Sequence, residues 1–346
     1  MQIIKPDTRI DFIGKRKIAF CLSAAIFIMT VVSLVVHKGP RLGVDFAGGS
    51  LIQIKLAAPA PIDAITDAFK EVNISATQVQ EYGQSAEKDY QYLINTDATA
   101  ISEEGFTDRI TDVLKAKTGL APEIMRVEMV GPKVGQDLRD KALKALLYSL
   151  LFMGIYISGR FQEKWLEGAV IALGMFGFVQ LLSILKVDLP ILIMVTLGMS
   201  LALFWLLKLP YALGAIVALL HDVIVTIGFL SVFNKEFTLL IIAALLTIIG
   251  FSINDTIVIF DRLRERLKNN PKMQLEENIN ITVNETLSRT ILTSLTVFIV
   301  LLVMFFFSGS IIHDFVFALL IGCTSGVYST LYIANPILLV KRFNNK

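Results

Sequence analysis

The chain is short of charge. Only 18% of its 346 residues are Asp, Glu, Lys or Arg, against about 25% in an ordinary soluble protein. It has two cysteines and three histidines, too few for a disulfide framework or a zinc cluster. Cys21 and Cys323 both lie inside apolar runs. No H-E-x-x-H, Walker A or G-x-G-x-x-G sequence occurs. That removes a zinc protease, a P-loop and a dinucleotide site from consideration. The Tyr-Asp and Gly-x-Gly-Asp pair of an intramembrane aspartyl protease is missing as well. The expectation is a protein that is not an enzyme, without metal or cofactor.

What the chain has instead is hydrophobic length. Apolar residues make up 54% of it and the mean hydropathy is +0.66. Uncharged or nearly uncharged runs lie at 18–36, 145–158, 168–185, 189–207, 209–233, 237–260, 290–307 and 315–340. A helix needs about 20 apolar residues to cross a 30 Å hydrocarbon layer. The reading is a polytopic α-helical membrane protein of about eight spans. The first run follows Lys15, Arg16 and Lys17, and no small-residue cleavage site follows it. It is read as a retained helix rather than a signal peptide.

Residues 37–140 interrupt the apolar pattern. Within 41–140 there are 10 Lys+Arg and 16 Asp+Glu, a net of −6, whereas the rest of the chain is net +8. An acidic block does not suit nucleic acid. The pattern predicts strands at 43–56, 77–82, 89–95 and 123–130, helices at 61–72 and 102–117, and a turn at 83–88. That order, βαββαβ, is the ferredoxin-like α+β arrangement. Gly48 and Gly49 mark an irregularity in the first strand.

Eight spans with a domain after the first put both termini on one side. The loops of that side hold 17 Lys+Arg, among them Arg160, Lys164, Arg264, Arg266, Lys341 and Arg342. Outside the domain, the opposite loops hold only Lys38, Lys141, Lys144, Lys186 and Lys235. The positive-inside rule then makes the tails 1–17 and 341–346 cytoplasmic and the domain periplasmic. The link 261–289 also falls on the cytoplasmic side. Leu275, Ile279, Val283 and Leu287 recur there every four residues, as on an amphipathic helix lying on a membrane surface or in solvent. Asn270 before Pro271 reads as its cap.

Polar residues inside apolar runs stand out, because a carboxylate at a helix centre costs about 2.5–3.5 kcal/mol on insertion scales. His221 and Asp222 fall in the 209–233 run; Ser252, Asn254 and Asp255 fall in 237–260; Arg289 stands at the mouth of 290–307. Asp255 precedes Asp261 by six residues, roughly 9 Å of helix. Asp222 follows Lys208 by 14 residues, roughly 21 Å. The two carboxylates are expected on different levels. One repeat is visible: GAVIALGMF at 168–176 resembles GAIVALLHD at 214–222, with Met175 and Phe176 in place of His221 and Asp222.

Six ordered blocks carry a family resemblance: GVDFAGGS at 43–50, VGPKVG at 130–135, AIVALLHD at 215–222, IGFSINDT at 249–256, FDRLRE at 260–265 and TLSRTILTS at 286–294. They resemble the signature blocks of the SecF branch of the SecD/SecF family, within the RND superfamily. The resemblance implies a subunit of the bacterial Sec export machinery in the inner membrane. It implies SecD as heteromeric partner, association with the SecYEG channel and YajC, and action on the exported polypeptide. Export would be driven late in translocation by a flow of H⁺ or Na⁺. It places the family's ion-pathway carboxylate at Asp255 and its functional arginine at Arg289, with Asn254, Asp222 and His221 along the path. Gly43, Asp45, Gly48, Gly49, Gly131, Pro132, Asp261 and Arg262 are motif residues with a structural part. The chain departs from the family at about 163–208, where a two-span hairpin intervenes; members of the family have six spans. Two other readings stay open: an RND-type transporter of lipids or small molecules, and a passive membrane scaffold.

Overall fold

The structure is a computed structural model and describes residues 9–71, 76–82, 90–96, 106–163 and 165–340. The chain enters helix α1 at Arg16–Val36, makes one turn α2 at Val44–Ala47, and continues as β1 (Gly49–Leu56), α3 (Ile62–Glu71), β2 (Ala76–Tyr82), β3 (Tyr90–Thr96), α4 (Phe106–Thr118) and β4 (Glu123–Val130). Seven long helices follow: α5 (Pro132–Gln162), α6 (Trp165–Ile184), α7 (Leu189–Leu206), α8 (Pro210–Val232), α9 (Leu239–Asn269), α10 (Leu275–Phe307) and α11 (Ser310–Ser329). A π-helical turn at Thr330–Ala334 and a last turn at Asn335–Ile337 extend α11. Among the described residues eight helices are long and apolar enough to cross a membrane. The chain is a multi-pass membrane protein.

The four strands form one antiparallel sheet in the order β2-β3-β1-β4. Ile52, Ile54, Leu56, Tyr92 and Ile94 alternate onto one face and pack on Ile65, Phe69, Ile110 and Leu114 of the two helices. The period-two pattern and the helical stripe therefore meet in a core of their own. The expected turn at 83–88 and the expected helix start at Ser102 lie outside the described residues. The first strand is shorter than expected. Residues 44–47 form α2, and the strand starts at Gly49.

Gly48 explains that break. Its φ is +75°, a conformation that side chains rarely adopt. A Cβ there would also lie 2.7 Å from the Cα of Pro132. One at Gly135 would come within 3.0 Å of the amide nitrogen of Gly48. The two glycine-bearing blocks thus press backbone against backbone. Gly131 enters α5 extended and Pro132 occupies its first turn, where a missing N–H costs nothing.

Five turns close their helices with a left-handed residue that is not glycine: Lys38, Glu163, Lys186, Lys208 and Asn234. A Lys past a helix C-terminus is favoured by the helix dipole and marks where α1, α6 and α7 stop. The link 261–289 is not a separate surface helix. Its first part is the end of α9 and most of its second part is the start of α10. Asn270 ends α9, and Pro271 prevents the helix from continuing. Ile279, Val283 and Leu287 are buried in the main core. The N-terminal segment straps along them. Asn280 Oδ1 accepts from the amides of Phe12 and Ile13 at 3.0 Å, and Asn284 bonds both N and O of Ile10.

The extra hairpin α6–α7 packs beside α5 with a small core of its own, Leu147, Leu151, Met175, Val179 and Leu192. Met175 is buried and Phe176 is exposed, so the earlier repeat copy serves apolar packing.

The sheet is fastened to the helices at residues 233–238. Leu42 and Phe237 form an isolated bridge, with Phe237 N donating to Arg41 O at 2.7 Å and Gly43 N to Phe237 O at 3.0 Å. Asp45 Oδ2 accepts from Leu239 N at 2.9 Å, and so caps α9 from across the junction. Asn95 Nδ2 donates to Glu236 Oε1 at 2.8 Å, and Arg41 Nε stands 3.9 Å from the same oxygen. Burial pushes the Glu236 carboxyl up, while Arg41 and Asn95 pull it part of the way back. A carboxylic acid whose value is raised on docking is stabilised by protonation. The junction therefore loses stability as pH rises from 4.5 through the raised value, and regains it as pH falls. Corrected hydrogen exchange at Gly43 and Phe237 should slow as pH falls from neutral toward 5. Glu236→Gln should remove that dependence. A pH-independent rate in the unmodified chain would contradict it.

Candidate functional site

Helix α8 is apolar along almost its whole length and largely buried. Asp222 sits in the middle of it with no exposure at all. Its carboxylate is fully engaged. Ser252 of α9 and Ser329 of α11 each donate to Oδ2 at 2.7 Å. Ser325 of α11 donates to Oδ1 at 2.7 Å, and His221 Nδ1 lies 3.2 Å from that oxygen. A hydrogen bond to a charged group contributes about 1.5–3 kcal/mol, so the three serine donors offset the cost of an intramembrane carboxylate.

The network reaches α1. His221 Nε2 is 3.1 Å from Ser23 Oγ, and Ser23 Oγ is 3.0 Å from Tyr328 Oη. The tautomer follows by counting protons. Tyr328 has one hydroxyl proton and donates it to Ala19 O at 2.6 Å. Ser23 must then donate to Tyr328 and can only accept from His221. Nε2 therefore carries a hydrogen. Nδ1 faces Asp222 Oδ1 and lies 3.4 Å from the Ser325 hydroxyl.

The serines reach Asp222 because α11 and α9 touch closely. A Cβ on Gly326 would lie 3.1 Å from Ser252 Cβ. Small residues allow such approach between membrane helices. Ser23, Ser325, Ser329 and Tyr328 are the members that sequence reasoning missed. Their only signal is the four-residue spacing of Ser325 and Ser329 beside Gly322 and Gly326.

Asp255 is also buried, three residues beyond Ser252 on α9. Its surroundings differ. Ser294 of α10 donates to Oδ2 at 3.3 Å, and Thr293 stands alongside. Asp255 keeps acceptor capacity that Asp222 does not. Arg289, five residues before Ser294, is exposed and forms no ion pair among the described residues. Asn254 is exposed on the other side of α9. An outward-facing groove of about 410 Å³ lies between α10 and α11, lined by Ser294, Phe298, Cys323, Tyr328 and Tyr332 among others. One residue from each carboxylate's surroundings, Ser294 and Tyr328, borders it.

The structure thus separates the sequence candidates into two centres. His221 and Asp222 belong to one, Asp255 to the other, and Ser252 ties them through one helix. Asp261 and Arg262 belong to neither. Asp261 accepts from Arg160 Nη2 at 2.6 Å, and Arg262 Nε donates to Glu285 Oε2 at 2.6 Å. They form a charged collar at the end of the bundle away from the sheet.

The model of the SecD/SecF export membrane protein C-terminal region matches residues 109–196 and 183–344, and the SecD/SecF GG motif matches 33–60. The chain belongs to the SecD/SecF family of protein export membrane proteins. The two C-terminal matches meet inside the extra hairpin. A protein translocase subunit SecF of Calditerrivibrio nitroreducens is 35% identical over 345 residues, covering 98% of this chain and 96% of that one. The SecF of Magnetococcus marinus is 37% identical over 344 residues, covering 98% and 94%. A crystal structure of SecDF from Thermus, described as translocon-associated, has the same fold at a TM-score of 0.67 and 24% identity. It matches 97% of this chain, which spans 39% of that longer one.

The GG-motif match covers Gly48 and Gly49 at the sheet–bundle junction, and the C-terminal match covers both carboxylates. ¹⁵N NMR of the three histidines, with His221 assigned by substitution, should show its Nε2 protonated. A bare Nε2 on His221 would overturn the proton count.

Proposed function

We propose that this chain works as the SecF-type subunit of a Sec protein translocase in the bacterial inner membrane. Its relatives carry that name over nearly their whole length, which supports the translocase assignment. The fused SecDF neighbour supports SecD as the partner. SecYEG, YajC and the exported polypeptide enter this reading as further partners. The sheet domain is ferredoxin-like in strand and helix order, lies on the periplasmic side, and contacts exported chain or partner without catalysis. Both termini are cytoplasmic.

The observation that carries the mechanism is the unequal satisfaction of two buried carboxylates. Asp222 takes three hydroxyl bonds of 2.7 Å; Asp255 has one of 3.3 Å, with Thr293 beside it. A carboxylate with open lone pairs can take up H⁺ or Na⁺, whereas a saturated one holds helices together. Ion occupancy at Asp255, governed by the charge of Arg289, then biases the helices between two states. One elementary charge crossing the membrane supplies about 2.3 kcal/mol per 100 mV. In this reading SecD covers the groove between α10 and α11 and faces Asn254.

Asp255→Asn should assemble with its partner yet support no more export with an ion gradient than without one. Arg289→Lys should be impaired as well, because a point charge does not replace a planar guanidinium. Vesicle export with H⁺ and Na⁺ gradients imposed separately is the measurement. Full gradient-stimulated export by Asp255→Asn would remove the mechanism and favour a scaffold. The orientation has its own test. In a background with Cys21 and Cys323 replaced by Ala, single cysteines at Lys186 and Lys235 should react with an impermeant periplasmic reagent. One at Lys208 should not, and its labelling would refute the eight-span order.

A further inference from the structure

The extra hairpin creates a cavity. It lies between the first turns of α5 and the turn joining α6 to α7, with a volume of about 710 Å³. Its charged lining is Arg139, Asp140, Lys144, Lys186 and Asp188. Arg139 Nε stands 3.7 Å from Asp140 Oδ1, an ion pair too long for a hydrogen bond, which leaves that buried oxygen without a donor. Lys144, Lys186 and Asp188 make no ion pair or side-chain hydrogen bond among the described residues. Two free ammonium groups and one free carboxylate therefore face a common space.

Its depth is set by length. Helix α7 has 18 residues, roughly 27 Å at 1.5 Å per residue. The hydrocarbon layer is about 30 Å thick. All of α7 is needed to cross it, which puts Leu189 at the boundary and Lys186 and Asp188 among the headgroups. Lys186 takes the left-handed position that ends α6, with φ +55°. That turn holds it at the tip. Lys144 lies near the start of the apolar part of α5, where its stem can run along apolar surface with the ammonium at the boundary. Beneath the cavity the outer faces of the hairpin are bare: Val170, Leu173, Ile184, Ile191 and Met194 are all exposed. They offer acyl chains a continuous apolar wall.

We propose that this cavity is a phospholipid headgroup site selective for a phosphodiester bearing a primary ammonium, as in phosphatidylethanolamine. Lys144 and Lys186 take the phosphate oxygens and Asp188 takes the ammonium. Both signs of the headgroup are matched, with the two lysines sharing one phosphate. A quaternary choline has no N–H to donate to Asp188, and a glycerol headgroup has no cation for it. The site gives the hairpin a task, anchoring the sheet-bearing end of α5 to one leaflet.

The test uses the purified full chain in detergent with added lipid, read by native mass spectrometry. Phosphatidylethanolamine should be retained several-fold over phosphatidylcholine and phosphatidylglycerol. The double variant Lys144→Gln/Lys186→Gln should lose that retention while its melting temperature stays near that of the unmodified chain. Asp188→Asn should keep a bound phospholipid but lose the preference for the primary amine. Equal retention of the three lipids, or retention unchanged in the double variant, would overturn the proposal. So would displacement by millimolar inorganic phosphate, which would mark a site for free anions.

Discussion

A buried carboxylate in a lipid-spanning bundle has to find its partners inside the protein, because the hydrocarbon layer offers none. Asp222 meets that demand by drawing hydroxyls from α9 and α11 and an imidazole from its own helix, and the imidazole reaches on to α1. Four of the membrane helices are thereby oriented about their long axes. Apolar packing alone does not do this, since lipid tails are as apolar as leucine and van der Waals contact tolerates small rotations. The hydrogen bonds do, because each hydroxyl must point at one oxygen. The small residues of α11 follow from the same demand: only a close α9–α11 contact lets short serine side chains reach.

The sheet is held by a different kind of contact. Backbone meets backbone at Gly48 and Pro132, and at Leu42 and Phe237. Asp45 lends its carboxylate to the first turn of α9. That placement is favourable electrostatically, since a helix N-terminus carries partial positive charge. The domain is therefore not tethered by flexible linkers alone. It shares hydrogen bonds with the start of the same helix that carries Ser252 and Asp255.

Much of this was legible from residue pattern. Run lengths located the eight long helices, and period-two and helical spacing located the strands and helices of the domain to within a few residues, apart from the start of the first strand. The rare intramembrane polar groups drew attention to His221, Asp222 and Asp255. Their pairing was not legible. Spacing placed Asp222 and Asp255 on different levels, but nothing in it assigned three serines on two other helices to Asp222. A serine in an apolar run ordinarily bonds the carbonyl one turn back, so its presence carries little signal. The fate of residues 261–289 was misread for a related reason. A four-residue apolar stripe fits a membrane surface, solvent or protein equally well. Only the asparagines at 280 and 284, which hold the N-terminal segment, decide that protein covers it.

Helix α9 joins these parts into one argument about transmission. At one end its first amides are capped by Asp45 of the domain. In its middle Ser252 is held by Asp222, and one turn later Asp255 meets α10. At its far end Asp261 and Arg262 are clasped by Arg160 and Glu285. A rigid helix held at three levels cannot respond to charge at Asp255 by rotating alone. Rotation would strain the hydroxyl geometry at Asp222 and the cap at Asp45 together. Under the mechanism proposed above, a change of occupancy at Asp255 would be borne more easily by α10, whose middle and end are far less buried. Movement of α10 leaves the Asp222 centre intact while opening or closing the groove against α11. In that proposal the two carboxylates have complementary parts: one keeps α1, α8, α9 and α11 as a fixed frame, and the other acts where that frame meets the less buried part of α10.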